Sequence, residues 1–164
     1  MESTDVGMIK IAPEQFLRRH TEWLASLRPT LPTGWHHSPA GFLLQYGKAY
    51  NLKLTPARKY RRGQLKECYW NCRSLVRRHP ELTYVEGTAV NIIPVSHAWC
   101  VDRDGAVIEA TWREAGLAYH GVELQRDYVL NETNEPPFID NYLTEYPLMK
   151  LSEGELSTII VKAR

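Results

Sequence analysis

Three side chains near the middle of the chain are of the types used in nucleophilic acyl chemistry: Cys68, His97 and Glu109. In such chemistry a thiolate attacks a carbonyl carbon and an imidazole moves the proton. A carboxylate holds the imidazole in one tautomer and stabilises its charged form. Each residue alone has a plainer explanation. A cysteine on an apolar stripe is most often core, and a strand histidine is most often a hydrogen-bonded interior group. Glu109 is harder to dismiss, because it sits among Val107, Ile108 and Ala110, and a buried carboxylate needs a partner. His97 supplies one if the two share a face of a sheet.

The turn between them decides that. Arg103-Asp104-Gly105 separates two strand-like runs, 95–101 and 106–112, and fits a three-residue hairpin loop with Gly105 in the left-handed conformation. Asp102 then pairs with Ala106, His97 falls opposite Thr111, and Glu109 falls opposite Trp99. Because side chains alternate, Val95, His97, Trp99 and Val101 share a face with Val107, Glu109 and Thr111. His97 and Glu109 become diagonal neighbours. A two-residue loop would put them on opposite faces, but the three-residue loop is the better fit to Gly105.

The nucleophile lies on the clearest helical pattern, 64–79. There Leu65, Cys68, Cys72, Leu75, Val76 and His79 form one stripe, and Pro80 ends the run. Cys68 sits in the first turn or so. If the stripe packs on the face carrying His97, the thiol meets the imidazole. A helix N-terminus, an imidazolium, Arg62 and Lys66 would all lower its pKa from about 8.5. Gln64, Asn71 and the backbone N–H of Cys68 are candidate oxyanion donors, and Trp99 is a supporting candidate. Cys72 and Cys100 read as core, with Cys100 facing away from His97. A metal site built from the cysteines and His97 would need ligands from opposite sheet faces and lacks a Cys-x-x-Cys pair, so no metal or cofactor is implied. Glu86 is either a supporting partner or an exposed strand residue.

The surrounding elements follow from periodicity. A helix is predicted over 13–27, opened by Pro13, with Phe16, Leu17, His20, Leu24 and Leu27 on one face. An irregular loop follows over 28–41, and 41–54 is a strand or a partly buried loop. The run 82–90 predicts a strand with Gly87 as a possible bulge. Further on come a loop at 131–137 and a short helix near 138–145. The end, 156–161, is a strand or a helix capped by Ser152 with Glu155. The whole is one α+β domain over residues 1–164, in which the helix carrying Cys68 packs on an antiparallel sheet. Its core covers about 42–130, with the N-terminal helix at 13–27 and an acidic extension at 131–164.

With 43% hydrophobic and 24% charged residues, the chain has the composition of a soluble globular protein. No apolar run approaches the roughly 20 residues that cross a bilayer, so no membrane partner is expected. The acidic start lacks the pattern of a signal peptide, and three cysteines do not make a disulfide framework, which together suit the cytoplasm. The net charge of +1 hides a basic segment at 58–78 and an acidic one at 123–155. The basic segment could engage nucleic acid or an acidic partner as the working surface of a non-catalytic protein. A solvated helix face is the favoured explanation.

His97-Ala98-Trp99, a short turn, then Glu109-Ala110-Thr111-Trp112 resembles the His-Ala-Trp and Asp-Pro-Thr pattern of the transglutaminase-like, papain-like thiol superfamily. The order of cysteine on a helix, histidine on a strand and acid on the next strand is that superfamily's order. Arg62-Gly63 is similar to the Arg-Gly ahead of the cysteine in arylamine N-acetyltransferases. Cys68-Tyr69-Trp70-Asn71 and Tyr84-Val85-Glu86-Gly87 are also similar to small bacterial and phage proteins of this type. The likeness spans about 61–112. It implies a papain/transglutaminase-like core, with Cys68 as nucleophile, His97 as general base and Glu109 as orienting acid. The implied substrate bears an amide or thioester and could itself be a protein. The acid is Glu109 where the family usually has Asp, and bulky Tyr69 and Trp70 follow the cysteine.

Overall fold

Asp102 organises the hairpin turn locally. Its Oδ1 accepts from the backbone N–H of Asp104 and of Ala106, both at 2.9 Å. Gly105 takes φ +75° and donates its N–H to the Asp102 carbonyl at 3.0 Å. The strands on either side are β3 (Pro94–Val101) and β4 (Val107–Ile108), paired Cys100 to Ile108 and Val101 to Val107, which is the register the three-residue loop dictates. The second strand is much shorter than the expected 106–112, because the chain turns out of the sheet at Glu109.

The computed structural model describes residues 12–50, 59–140 and 145–162. It is an α+β arrangement whose five strands run in the order β1-β5-β2-β3-β4 and pair antiparallel throughout. The remaining strands are β1 (Lys48–Tyr50), β2 (Thr83–Val90) and β5 (Ala118–Leu124). The sequence gives no expectation of β5, yet it lies between β1 and β2. Gly87 is not a bulge. It keeps regular register with His97 on one side and Gly121 on the other, and a Cβ there would lie 2.2 Å from the His120 carbonyl oxygen. Close approach of β5 is what requires glycine.

The sheet has two buried faces. One carries Val85, Ala89, Trp99, Val101, Val107 and Tyr119. The other carries Tyr84, Ala98, Cys100, Val122 and Leu124, covered by three helices: α2 (Pro39–Tyr46), α3 (Cys68–Arg78) and α4 (Arg126–Leu130). Cys72, Leu75 and Val76 of α3 therefore pack on the Cys100 face, opposite to the side chain of His97.

Several expected boundaries shift. The helix α1 (Pro13–Ser26) forms where expected but buries Leu17 and Thr21, while Phe16, Leu24 and Leu27 remain exposed. Leu17 faces inward because Val90 and Ala118 receive it. The 28–41 loop gives way to α2, begun by a Ser38 cap and Pro39, and that helix also replaces the strand-or-loop expected from Gly41. Only β1 there is a strand, and 51–54 lie outside the described residues. The segment 138–140 is a bend, not the start of a helix, and 141–144 also lie outside. At the end both alternatives occur. Ser152 and Glu155 form a capping box for α5 (Glu153–Leu156), and Ile160 then bridges to Leu124. No described helix is long and apolar enough to cross a membrane.

The two glycine environments make a paired prediction. Gly87→Ala should lower the unfolding free energy by about 1–3 kcal/mol, the usual penalty of forcing atoms into a packed interior. Gly154→Ala, in α5 with only Ser152 Oγ at 4.0 Å from a new Cβ, should be neutral or stabilising by up to about 1 kcal/mol. Denaturant unfolding of the two variants beside the parent chain measures both.

Candidate active site

Cys68 is the first residue of α3, within the first turn as expected, but the helix begins at Cys68 and not at Gln64 as the 64–79 pattern suggests. The preceding Lys66 takes φ +69° and Glu67 φ −108°, ψ +36°, so the chain cannot be helical until Cys68. Leu65 consequently leaves the stripe and is 64% exposed. Glu67 makes no side-chain cap, so the first backbone N–H groups of α3 lack that intrahelical substitute. Two links hold this end of α3 beside the exit of β4. Gly63 donates its N–H to the Ala110 carbonyl at 2.9 Å, and Asn71 Nδ2 donates to Thr111 Oγ1 at 2.8 Å. Asn71 also donates to the Gln64 carbonyl at 2.7 Å and accepts from the Gln64 N–H at 3.2 Å. Its amide thus closes the loop ahead of the cysteine, and the exposed Gln64 takes part through its backbone.

His97 and Glu109 lie together as strand parity requires. His97 Nε2 stands 3.1 Å from Glu109 Oε2 and 3.3 Å from Oε1, with the two side chains 2% and 6% exposed. Glu109 is the more heavily bound partner. Its Oε1 accepts from the N–H groups of Thr111 at 2.9 Å and Trp112 at 3.0 Å. Its Oε2 accepts from the Tyr119 hydroxyl at 2.9 Å, and that hydroxyl accepts from Gly116 N–H at 2.7 Å. Those two backbone bonds bend the chain away at Glu109 and end β4. The expected pairing of His97 with Thr111 is lost for that reason.

Trp112 then folds back over the imidazole, ring centroids 3.9 Å apart and planes 9° from parallel. An aromatic face at this distance favours the charged form of the ring. Burial pushes the His97 pKa down, but hydrogen bonding and charge from Cys68 and Glu109 outweigh it and lift the value to about 9. Glu109 is held below the usual carboxylate value. Burial opposes this, while the His97 contact and the Trp112 and Thr111 N–H groups prevail. Cys68, the first residue of α3, is a hydrogen-bonding and charge neighbour of His97, although the body of that helix packs on the other face of the sheet.

The other cysteines have no such company. Cys72 is fully buried and its thiol is pushed well above the ordinary value, chiefly by burial. Cys100 is also fully buried, facing away from His97, and its sulfur lies 3.8 Å from the Cys72 carbonyl oxygen. Among the described residues no three His, Cys, Asp or Glu side chains gather as a metal-holding group. Trp99 shares the His97 face but is fully buried, with Nε1 unpartnered among the described residues. Glu86 belongs to the opposite face and is 2% exposed. It accepts from Phe138 N–H, Ile139 N–H and the Tyr84 hydroxyl, so it is neither an exposed residue nor a neighbour of the pair. Of the basic segment, Arg73 is buried whereas Arg61, Arg62, Lys66, Arg77 and Arg78 are exposed.

Tyr119 and the Trp112 stack are absent from the sequence-derived set. Tyr119 belongs to the unforeseen β5, and the remaining donors to Glu109 are backbone groups that carry no residue-type signal. The chain matches no protein-family model, no curated protein and no solved structure. The chemistry of the site is what bears on function.

The pair should leave a two-sided pH signature. His97 is raised from 6.5 to about 9, so its contribution to stability is complete below about 6.5 and lost as pH rises through about 9. Glu109 is lowered from 4.5, so its contribution is present above about 4.5 and lost as pH falls through its depressed value. The stability difference between the parent and His97→Gln should be largest near pH 5–6 and shrink on both sides. In Glu109→Gln, NMR titration of the His97 ring should give a pKa more than about one unit lower than in the parent. An unchanged titration would remove Glu109 as the source of the shift.

Proposed function

We propose that this chain is a cysteine-dependent acyl-transfer enzyme acting on an amide or thioester carbonyl. The observation that carries the proposal is the buried His97–Glu109 pair with Cys68 as the other polar neighbour of the imidazole. The Cys68 thiolate attacks the carbonyl carbon, and the carbonyl electrons move to oxygen. Backbone N–H groups at the uncapped start of α3, that of Cys68 included, are the donors to that oxyanion. On collapse the bond to the leaving amine or thiol breaks, and His97 gives that group its proton. Water or an amine then attacks the thioester carbonyl as His97 takes its proton, and the sulfur departs as thiolate. Glu109 acts as a positioning residue, touching the imidazole through Nε2 and not the substrate.

The transglutaminase-like, papain-like architecture belongs to the same proposal. Its support is an antiparallel sheet bearing the histidine and then the acid, with the thiol on the first residue of a helix. Hydrolysis, deamidation and transamidation differ only in the acceptor that resolves the thioester, and all three use the same residues.

Labelling with limiting iodoacetamide near neutral pH, read by peptide mass spectrometry, tests the proposal. Cys68 should alkylate ahead of Cys72 and Cys100, and His97→Ala should slow it by roughly tenfold or more without raising the others. Equal labelling of the three thiols in the folded chain, or a Cys68 rate indifferent to His97, would remove the catalytic assignment.

A further inference from the structure

On the far side of α3 from Cys68 lies a cavity of about 310 Å³. One wall is Trp70, Arg73, Ser74 and Arg77 of α3; the other is Glu132 and Glu135 from the loop after α4. Arg73 is the unusual member. It is 6% exposed, its Nη2 donates to the Asn131 carbonyl at 2.8 Å, and its guanidinium lies 5.4 Å from the Trp70 ring centroid. Its Nε is buried with no hydrogen-bond partner among the described residues. None of the ion pairs among those residues joins Arg73 or Arg77 to Glu132 or Glu135.

A guanidinium is always charged, and burying it against one neutral carbonyl is unfavourable without an anion nearby. Capping the C-terminal end of α4 explains Nη2. It does not explain the space in front of Trp70. An anion in the cavity would meet Arg77 and the outer edge of the Arg73 guanidinium, and the fork geometry suits a carboxylate. The two glutamates repel a polyanion such as nucleic acid or a free phosphate, and they favour a cationic group at the other end of the same ligand. The volume is at the small end of ligand pockets, which run from about 300 to 1,000 Å³. We infer that this cavity binds a free zwitterionic α-amino acid. Its carboxylate lies on Arg73 and Arg77, its ammonium on Glu132 and Glu135, and its side chain on the face of Trp70. The inference is independent of the thiol chemistry across the helix.

The test is an NMR titration of the ¹⁵N-labelled full chain with L-phenylalanine to about 20 mM, following the Arg73 Nε–H and the Trp70 indole signals. A saturable shift of both is expected. N-acetylphenylalanine, which lacks the ammonium, and phenylalaninamide, which lacks the carboxylate, should each bind at least about tenfold more weakly. Arg73→Lys should weaken phenylalanine binding by a similar factor. Because that buried position affects folding, the exposed pair Glu132→Gln with Glu135→Gln provides a second variant. It should weaken phenylalanine but not N-acetylphenylalanine. No saturable shift in the folded parent chain overturns the proposal, as does equal or tighter binding of inorganic phosphate or of N-acetylphenylalanine.

Discussion

Glu109 leaves the sheet at the point where its own carboxylate begins to collect hydrogen bonds, and much of the site is arranged around that event. Two backbone donors on one oxygen bend the chain at Thr111 and Trp112, ending β4 after Ile108. The bend brings the Trp112 ring onto His97 and leaves Ala110 and Thr111 free to hold the loop that leads to Cys68. The other oxygen takes Tyr119, which ties the site to β5. A carboxylate taken out of water is unfavourable until it is neutralised and its lone pairs are filled. Here the neutralising cation is the imidazolium, so the interactions that make Glu109 tolerable in the interior also hold His97 charged and in one orientation.

The second buried carboxylate shows how much the cation matters. Glu86 receives the Tyr84 hydroxyl and the Phe138 and Ile139 N–H groups, at least as good a set of neutral donors as Glu109 has. Burial nevertheless dominates and pushes it up to about 7. Glu109, with comparable backbone donors and a histidine, moves the other way. Neutral dipoles reduce the desolvation penalty, and an opposite charge at contact distance reverses its effect. Glu86 therefore reads as an anchor for the 138–139 segment on the far side of the sheet, and Glu109 as half of an ion pair.

What could be seen in the sequence was what local chemistry dictates. Asp102 and Gly105 determine a three-residue turn, the turn determines register, and register determines that His97 and Glu109 share a face with Trp99 and Val107. Ser152 and Glu155 announce their own cap. Features determined by distant partners were not legible. β5 is buried on both faces, so it lacks the alternation that marks a half-exposed strand, and the pairing of its Gly121 with Gly87 of β2 is intelligible only once the strands meet. The stripe of α1 pointed to several apolar residues, but only Leu17 among them finds a receiving surface. Ser38 before Pro39 is a helix start that a Pro-, Gly- and His-rich context conceals.

The least legible feature was the side of the sheet on which α3 packs, and it bears most directly on the thiol. Cys68 and Cys72 are four residues apart on one helical stripe, so pattern alone gives them the same environment. The left-handed residue at Lys66 separates their fates. A non-glycine residue at positive φ is disfavoured by roughly 1–2 kcal/mol, and it persists here with Gly63 and Asn71 holding the loop around it. Asn71 Oδ1 would lie 1.8 Å from a Cβ on Gly63, so the loop closes this tightly only with glycine at that position. Delaying the helix to Cys68 puts one thiol at the helix end, beside an imidazole at the edge where β4 has stopped. The next thiol on the stripe remains one turn deeper, sealed against Cys100. Position along a single helix, set by two backbone conformations ahead of it, is enough to give two chemically identical side chains different neighbours.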